Sequence, residues 1–382
     1  MRKNILLIFS FIVTTWFLCA CSGSKSNDKN EVEAIDSVMT IKHAKGFEVT
    51  YHKDYKRVVI KNTFSEQGNL HVYYLVDNQQ TPTPTDGEKV TIPLKSIGIT
   101  SCTHIGELDR LSLLEKISCL CNPEYIYNQQ MKERVEGGLV KNIGDALNIN
   151  IECLLAAKPS MLMMTIYNLQ DENIKRITEA GIPVLFNNEW MEEDPLGRAE
   201  WIKMIATFFN EENNASLIFD QIEKNYDEIK ETVNIVGHKP TVMIGNNFKG
   251  TWYMSGGQCY MAQLIKDAGG DYQFANDTSS GSLPLSFEMV LKNFKHTDCW
   301  VNAPVTSIKE LIEMDERHNL FNPVAIGEVY AFLGKTLPNS MANDCWESGV
   351  VNPDIMLKDF VWAFHPEIVP NHTPYYIIKL KQ

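Results

Sequence analysis

From residue 46 onward apolar and polar positions alternate along FEVTY (47–51), RVVIKNTF (57–64) and NLHVYYLV (69–76). That alternation predicts strands with one buried face. A Pro/Thr/Asp/Gly-rich loop, NQQTPTPTDGEK, separates them from VTIPLKSIGIT (90–100), read as a single buried strand. The pattern then changes to helix following strand. SCTHIGELDRLSLLEKI runs from a loop into a helix, IECLLAAKP is a helix broken at Lys-Pro, and SMLMMTI is a strand. LQDENIKRITEAGIPVLFN is a helix, a Gly stop and another strand. In EEDPLGRAEWIKMIATFF, Asp194 is an N-cap and Pro195 fits the first helical position. Next, residues 213–236 place Ala215, Phe219, Ile222, Tyr226, Ile229 and Val233 on one apolar stripe, which predicts a single long helix. Strands alternating with helices predict a parallel α/β sheet.

After Pro240 the same order restarts: TVMIGNN is a strand, CYMAQLIKDAGG a helix, SFEMVLKNF a helix, DCWVNA and AIGEVYAF strands, and NPDIMLKDFVWAFHPEIV a closing helix. The halves line up. IECLLAAKPSMLMM in the first corresponds to FEMVLKNFKHTDCWV in the second, and Glu152 corresponds to Glu288. One acid in a first helical turn is a helix cap, favoured by the macrodipole. A pair at equivalent places marks a symmetric surface that a two-fold partner can grip.

The first residues read as an address rather than as fold. Arg2 and Lys3 precede an apolar run from Ile5 to Leu18, shorter than the ~20 residues of a membrane span. The run ends in Leu18-Cys19-Ala20-Cys21, which resembles a bacterial lipobox. The resemblance implies a signal peptide over 1–20 and a lipid on Cys21, with 21–45 as a polar, flexible tether off the membrane. Composition adds exclusions. With 44% hydrophobic and 22% charged residues in 382, the chain has the make-up of a soluble globular protein large enough for two cored domains. Its net charge of −13, without a basic stripe, argues against nucleic acid as a partner. Cysteines 102, 119, 121, 153, 259, 299 and 345 have neither a disulfide framework's spacing nor that of a zinc site. No Walker sequence and no G-x-S-x-G elbow is present, and SGGQCY lacks the lysine of a phosphate cradle.

In their order, SIGITSCTHIGELDRL, NIECLLAAKPSM, AGIPV, EDPLGRAEWIKMI, WYMSGGQCYMAQLIKDAGGDY, SFEMVL and VVNPDIMLKDFVWAFHPE resemble the class III periplasmic binding proteins of ABC importers, in a form like that of Bacteroidetes lipoproteins. That group carries iron-siderophores, haem and cobalamin. Ser160 departs from the aspartate that often follows Lys-Pro in the family. The resemblance implies two Rossmann-like α/β lobes, 46–212 and 237–382, joined by the 213–236 helix, with the ligand between them. It implies a non-enzymatic protein of the cell envelope, facing the periplasm and anchored by lipid. Its ligand is a metal chelate, its partner an ABC permease dimer with its ATPase, and no cofactor is permanently bound. Glu152 and Glu288 fall where the family docks onto permease arginines. Ligand contacts are expected in loops after the strands: Thr103, His104, Tyr167 and Trp190 in the first lobe, Asn246, Trp252 and Tyr253 in the second. Trp190 and Trp252 have a second reading as core caps, and His104 as a helix-end residue or a metal contact. Arg198 either meets a ligand carboxylate or pairs with Glu189 or Glu193. On the same fold, a chelatase-like enzyme and a surface lipoprotein that only captures chelates are the alternatives.

Overall fold

The strand-like runs at the start of the chain form a sheet of their own. In the computed structural model, which describes residues 35–64, 68–167 and 171–382, the strands Ser37–Val38, Phe47–Tyr51, Lys56–Lys61 and Asn69–Val76 pair antiparallel in that order. Glu88–Thr91 closes the sheet in parallel with the last of them. The predicted alternation holds in Phe47–Tyr51, where Phe47 and Val49 are buried opposite Ile60 and Val58 and Glu48 between them is exposed. Val58–Ile60 and Val72–Val76 are instead buried on both faces, because Tyr55, Val59, Val72, Tyr74 and Val76 form a second apolar cluster. Cys21 and the expected signal peptide lie outside the described residues.

Two boundaries that shape the first lobe differ from the sequence reading. The expected single strand 90–100 is two strands, Glu88–Thr91 and Ile97–Ile99, in different sheets. Pro93, lacking an N–H, cannot carry the ladder across. The expected tether 21–45 is not all tether, because its last ten residues are built into the fold. The N–H groups of Lys42, His43 and Ala44 donate to the buried carboxylate of Glu200, and those of Lys45 and Gly46 to that of Glu192. Glu200 is balanced by Lys203 at 2.7 Å, and Glu192 also accepts from the Trp201 indole at 2.8 Å. His43 bridges Asp194 and Glu223 at 2.9 and 3.0 Å; the Asp194 bond, offset in part by burial, raises its imidazole to about 9. A Cβ on Gly46 would stand 2.5 Å from the Trp201 ring, so only glycine lets the chain pass there.

The first lobe's parallel sheet has the order Val184–Phe186, Met161–Met164, Ile97–Ile99, Ile117–Leu120, Lys141–Asn142. Helices Thr103–Arg110, Gln129–Glu136, Ile151–Ala157 and Glu172–Glu179 connect its strands. The central strands are buried throughout, as a sheet covered on both faces requires. The second lobe has a smaller parallel sheet, Asp271–Tyr272, Thr241–Ile244, Cys299–Val301, and an antiparallel one, Asn246–Phe248, Thr251–Ser255, Ser282–Leu285. Between the lobes runs the helix Glu212–Val233, whose buried residues Ala215, Phe219, Ile222, Tyr226 and Val233 are the predicted stripe, with Ile229 partly buried on it. It packs on the helices Pro195–Thr207 and Pro353–Phe364. The chain thus has the two α/β lobes and linking helix that the sequence implied. Among the described residues no helix is long and apolar enough to cross a membrane.

Candidate functional site

The strand Val184–Phe186 ends at the cleft, and the chain there turns through Asn187 and Asn188 into a 3-10 turn, Glu189–Met191. This turn brings Trp190 to the cleft, its indole N–H donating to the Ile166 carbonyl at 3.3 Å. Helix Pro195–Thr207 starts next, capped by Asp194, and sets Arg198 in its first turn. From the second lobe the antiparallel sheet faces them. Asn246 and Tyr253 are paired across it, and the Ser280–Ser282 edge lies beside them. Trp346, on the short helix Asp344–Glu347, closes the remaining side. Together these enclose a cavity of about 350 Å³. Two close turns shape its second-lobe wall. Gly245 has φ +89°, and a Cβ there would meet the Tyr253 carbonyl oxygen at 2.2 Å. A Cβ on Gly257 would stand 2.3 Å from the Phe274 carbonyl oxygen.

The wall combines aromatic rings with amides and hydroxyls, and among the described residues Arg198 is its one charged side chain. The guanidinium lies 4.3 Å from the centre of the Tyr260 ring and donates to Glu189 at 3.2 Å. Of the expected partners it therefore takes Glu189; Glu193 pairs with Lys45 at 2.9 Å instead. Burial raises the Tyr260 phenol and the Cys259 thiol, so both stay protonated in the cleft. Among the described residues no group of three or more His, Cys, Asp or Glu could hold a metal ion.

The expected contact residues divide. Trp190, Asn246 and Tyr253 line the cavity. Tyr167, 62% exposed, stands at its rim with its ring tilted against Trp190 at 5.4 Å. Thr103 is outside the wall; it is the first helical residue, and its hydroxyl bonds that of Ser101 at 2.8 Å. His104 and Trp252 are corrections. His104 shares the inner face of Thr103–Arg110 with Glu107 and Leu108 and is fully buried, its Nε2 3.2 Å from the Thr165 hydroxyl. Burial pushes its imidazole down to about 3, which keeps it neutral. Trp252 and Tyr253 are not in a loop but are neighbours in the strand Thr251–Ser255, so their side chains leave on opposite faces. Tyr253 is 48% exposed toward the cleft, while Trp252 is 0% exposed among Trp300, Phe287, Phe321 and His318. Sequence reasoning missed Tyr260 and Trp346. Tyr260 ends the glycine-rich SGGQCY stretch, but Trp346 reaches the cleft by a long-range return of the chain that no local pattern announces.

Glu152 and Glu288 occupy equivalent places. Each is the second residue of its helix, after an N-cap, Asn150 or Ser286, that accepts from the third residue's N–H. Both are exposed. Glu288 is 3.8 Å from Arg317. Its carboxyl is held below its usual range, first by a backbone N–H, then by the Ser286 hydroxyl.

A model of the family described as periplasmic binding protein matches residues 111–316, a little over half of the 382-residue chain. Two uncharacterized lipoproteins of Methanocaldococcus jannaschii align along nearly the whole chain. One is 22% identical over 99% of this chain and 97% of its own, the other 24% identical over 93% and 90%. Among solved structures, IsdE of Staphylococcus aureus complexed with heme superposes with a TM-score of 0.53 at 19% identity, covering 71% of this chain and 98% of its own. The vitamin B12 binding protein BtuF of Vibrio cholerae gives a TM-score of 0.52 at 10% identity, covering 73% and 99%. CeuE of Helicobacter pylori, in a nickel–histidine complex, gives 0.57 at 15% identity, covering 74% and 86%. These likenesses establish a common fold.

Proposed function

The chain belongs to the periplasmic binding protein family, and from that premise, with its resemblance to the class III members, we propose that its interlobe cavity captures a metal chelate for delivery to an ABC permease dimer with its ATPase. The carrying observation is the wall itself: Trp190, Tyr253, Tyr260 and Trp346 present ring surface, while Asn246, Ser282 and Arg198 present polar groups at its edges. Such a wall suits a large flat ligand rimmed with oxygen, because aromatic rings give contact area at low entropy cost. It offers little to a bare metal ion, since among the described residues no group of three or more His, Cys, Asp or Glu is gathered to hold one. Metal ligation would therefore come from the chelator rather than from the protein. Glu152 and Glu288 lie outside the cavity wall and are proposed to meet the permease, and Cys21 to carry the lipid anchor in the envelope. A lipid anchor also fits the reading as a surface protein that captures chelates without a permease.

Tryptophan emission tests the ligand reading. Titration with haemin, cyanocobalamin and a ferric tris-catecholamide chelate should quench emission for one of them, with Trp190 and Trp346 as the reporters. Tyr253→Ala should weaken that ligand about tenfold, as loss of one stacked ring predicts. If none of the three quenches, or if Tyr253→Ala binds as wild type does, the cavity is not the ligand site. The anchor is checked separately: fatty-acid labelling should disappear in Cys21→Ala, and labelling that persists would refute it.

A further inference from the structure

Behind the first-lobe wall lies a buried polar layer. Glu107, on the inner face of Thr103–Arg110, is fully enclosed. Its Oε2 accepts from the Asn187 amide at 2.7 Å, and its Oε1 has no hydrogen-bond partner. Glu189 is as deeply enclosed: Oε1 accepts from Arg198 at 3.2 Å, and Oε2 has no partner. Burial, and then the Glu189 charge, push the Glu107 carboxyl well above its usual range, against the opposing pull of Asn187 and Arg198. Two buried acids thus face a single guanidinium, and a second uncompensated carboxylate in that setting is costly.

Other acids lie on or against the helix Thr103–Arg110: the buried Glu347, raised by burial to about 7, accepts from the Tyr127 and Asn128 N–H groups, and Asp109 accepts from the Asn128 amide. His104, on the same helix, is neutral. Burial pushes the Cys102 thiol up to about 12, and it raises the Cys345 thiol and the Tyr260 phenol as well. Arg198 connects this layer to the cavity. It lines the wall, its side chain is 13% exposed, and its Nε has no partner.

We infer that Glu107 and Glu189 hold one proton between them and act as a charge compensator for Arg198: when an anionic, oxygen-rich chelate seats on the guanidinium, the acid pair takes up a second proton. This rests on reading the cavity as a chelate site. In the empty protein one carboxylate and one guanidinium are balanced, with the other acid protonated. An anionic ligand oxygen then claims the guanidinium, and a proton from solvent forms an O–H bond on the carboxylate left behind. Ligand affinity therefore rises as pH falls, by up to about tenfold per pH unit where a whole proton is taken up.

The proposal is tested on the whole protein. Infrared spectra of the ligand-free protein near neutral pH should show a protonated carboxyl band that Glu107→Gln removes. Calorimetric titration with the ferric tris-catecholamide chelate, in phosphate and in Tris, should show proton uptake and tighter binding at lower pH. Glu189→Gln should flatten that pH dependence with the same chelate, which separates the protein's proton from any taken up by the ligand. A missing carboxyl band in wild type overturns the shared proton. Binding that is independent of pH, or a pH profile unchanged in Glu189→Gln, overturns the compensator while the cavity reading stands. If this chelate does not bind although haemin or cyanocobalamin does, the anionic class is wrong. If none of the three binds, the site reading itself fails, and the infrared band still decides the acid pair.

Discussion

Trp252→Ala is expected to cost about 3–5 kcal/mol of stability, the usual price of removing a large buried aromatic from a packed core. The side chain is fully enclosed in the second lobe, 5.2 Å from Trp300 and 5.8 Å from Phe321 between ring centres. Its indole N–H donates to the Ile244 carbonyl at 3.1 Å, so alanine would leave both a cavity and a buried acceptor unpaired. Trp252→Phe keeps most of the volume and loses the donor, and should cost less. Ligand affinity should stay within about twofold in the phenylalanine variant, because Trp252 faces away from the cleft. Tyr253→Ala should show the opposite pattern, with near-normal stability and weaker ligand binding. Urea unfolding beside a ligand titration separates the two residues. A Trp252→Phe protein of normal stability that has lost its ligand would return Trp252 to the cleft.

The reversal between Trp252 and Tyr253 shows where sequence reasoning stops. WYMSGG reads as a loop after a strand because its glycines mark a turn, yet the turn follows Ser255 and the preceding residues pair in a strand. Once a segment is a strand, its neighbours must face opposite ways, and one of two adjacent aromatics is lost to the core. What was legible had local periodicity behind it. The 3.6-residue stripe of Glu212–Val233, the cap Asp194 and the repeated helix–strand order were all of that kind. Trp346 and the carboxylates of Glu192 and Glu200 take their roles from residues more than a hundred positions away, so no window of sequence contains their partners. The buried Glu107 had a weak signal: an acid three residues after His104, on a helix face that is otherwise apolar. Read as solvated, it looks ordinary; only the fold shows that the face is turned inward.

Changing both Glu152 and Glu288 to lysine is expected to abolish permease capture while leaving ligand affinity within about twofold. Both acids sit exposed at the second position of a helix that leads into a parallel sheet, one in each lobe. Equal placement in two copies of one unit is what a two-fold receptor surface can use, because both contacts then form in the same orientation. Lysine does more than remove the attraction. It places like charge against the basic groups proposed to receive these acids, and such juxtaposition is costlier than a neutral loss. It also sets a cation at a helix N-terminus, where the macrodipole favours anions. The Glu152→Gln, Glu288→Gln pair therefore serves as the control for folding. Capture by the detergent-solubilised permease should fall at least about tenfold in the double lysine protein, with each single change doing less. Raised salt should weaken the wild-type complex, since exposed charges are screened beyond ~8–10 Å. Arg317, 3.8 Å from Glu288, competes for that acid in the free protein, so Arg317→Ala should leave docking unchanged or stronger. A double lysine protein that still docks but no longer binds ligand would reverse the assignment and make these acids part of the ligand site or plain helix caps.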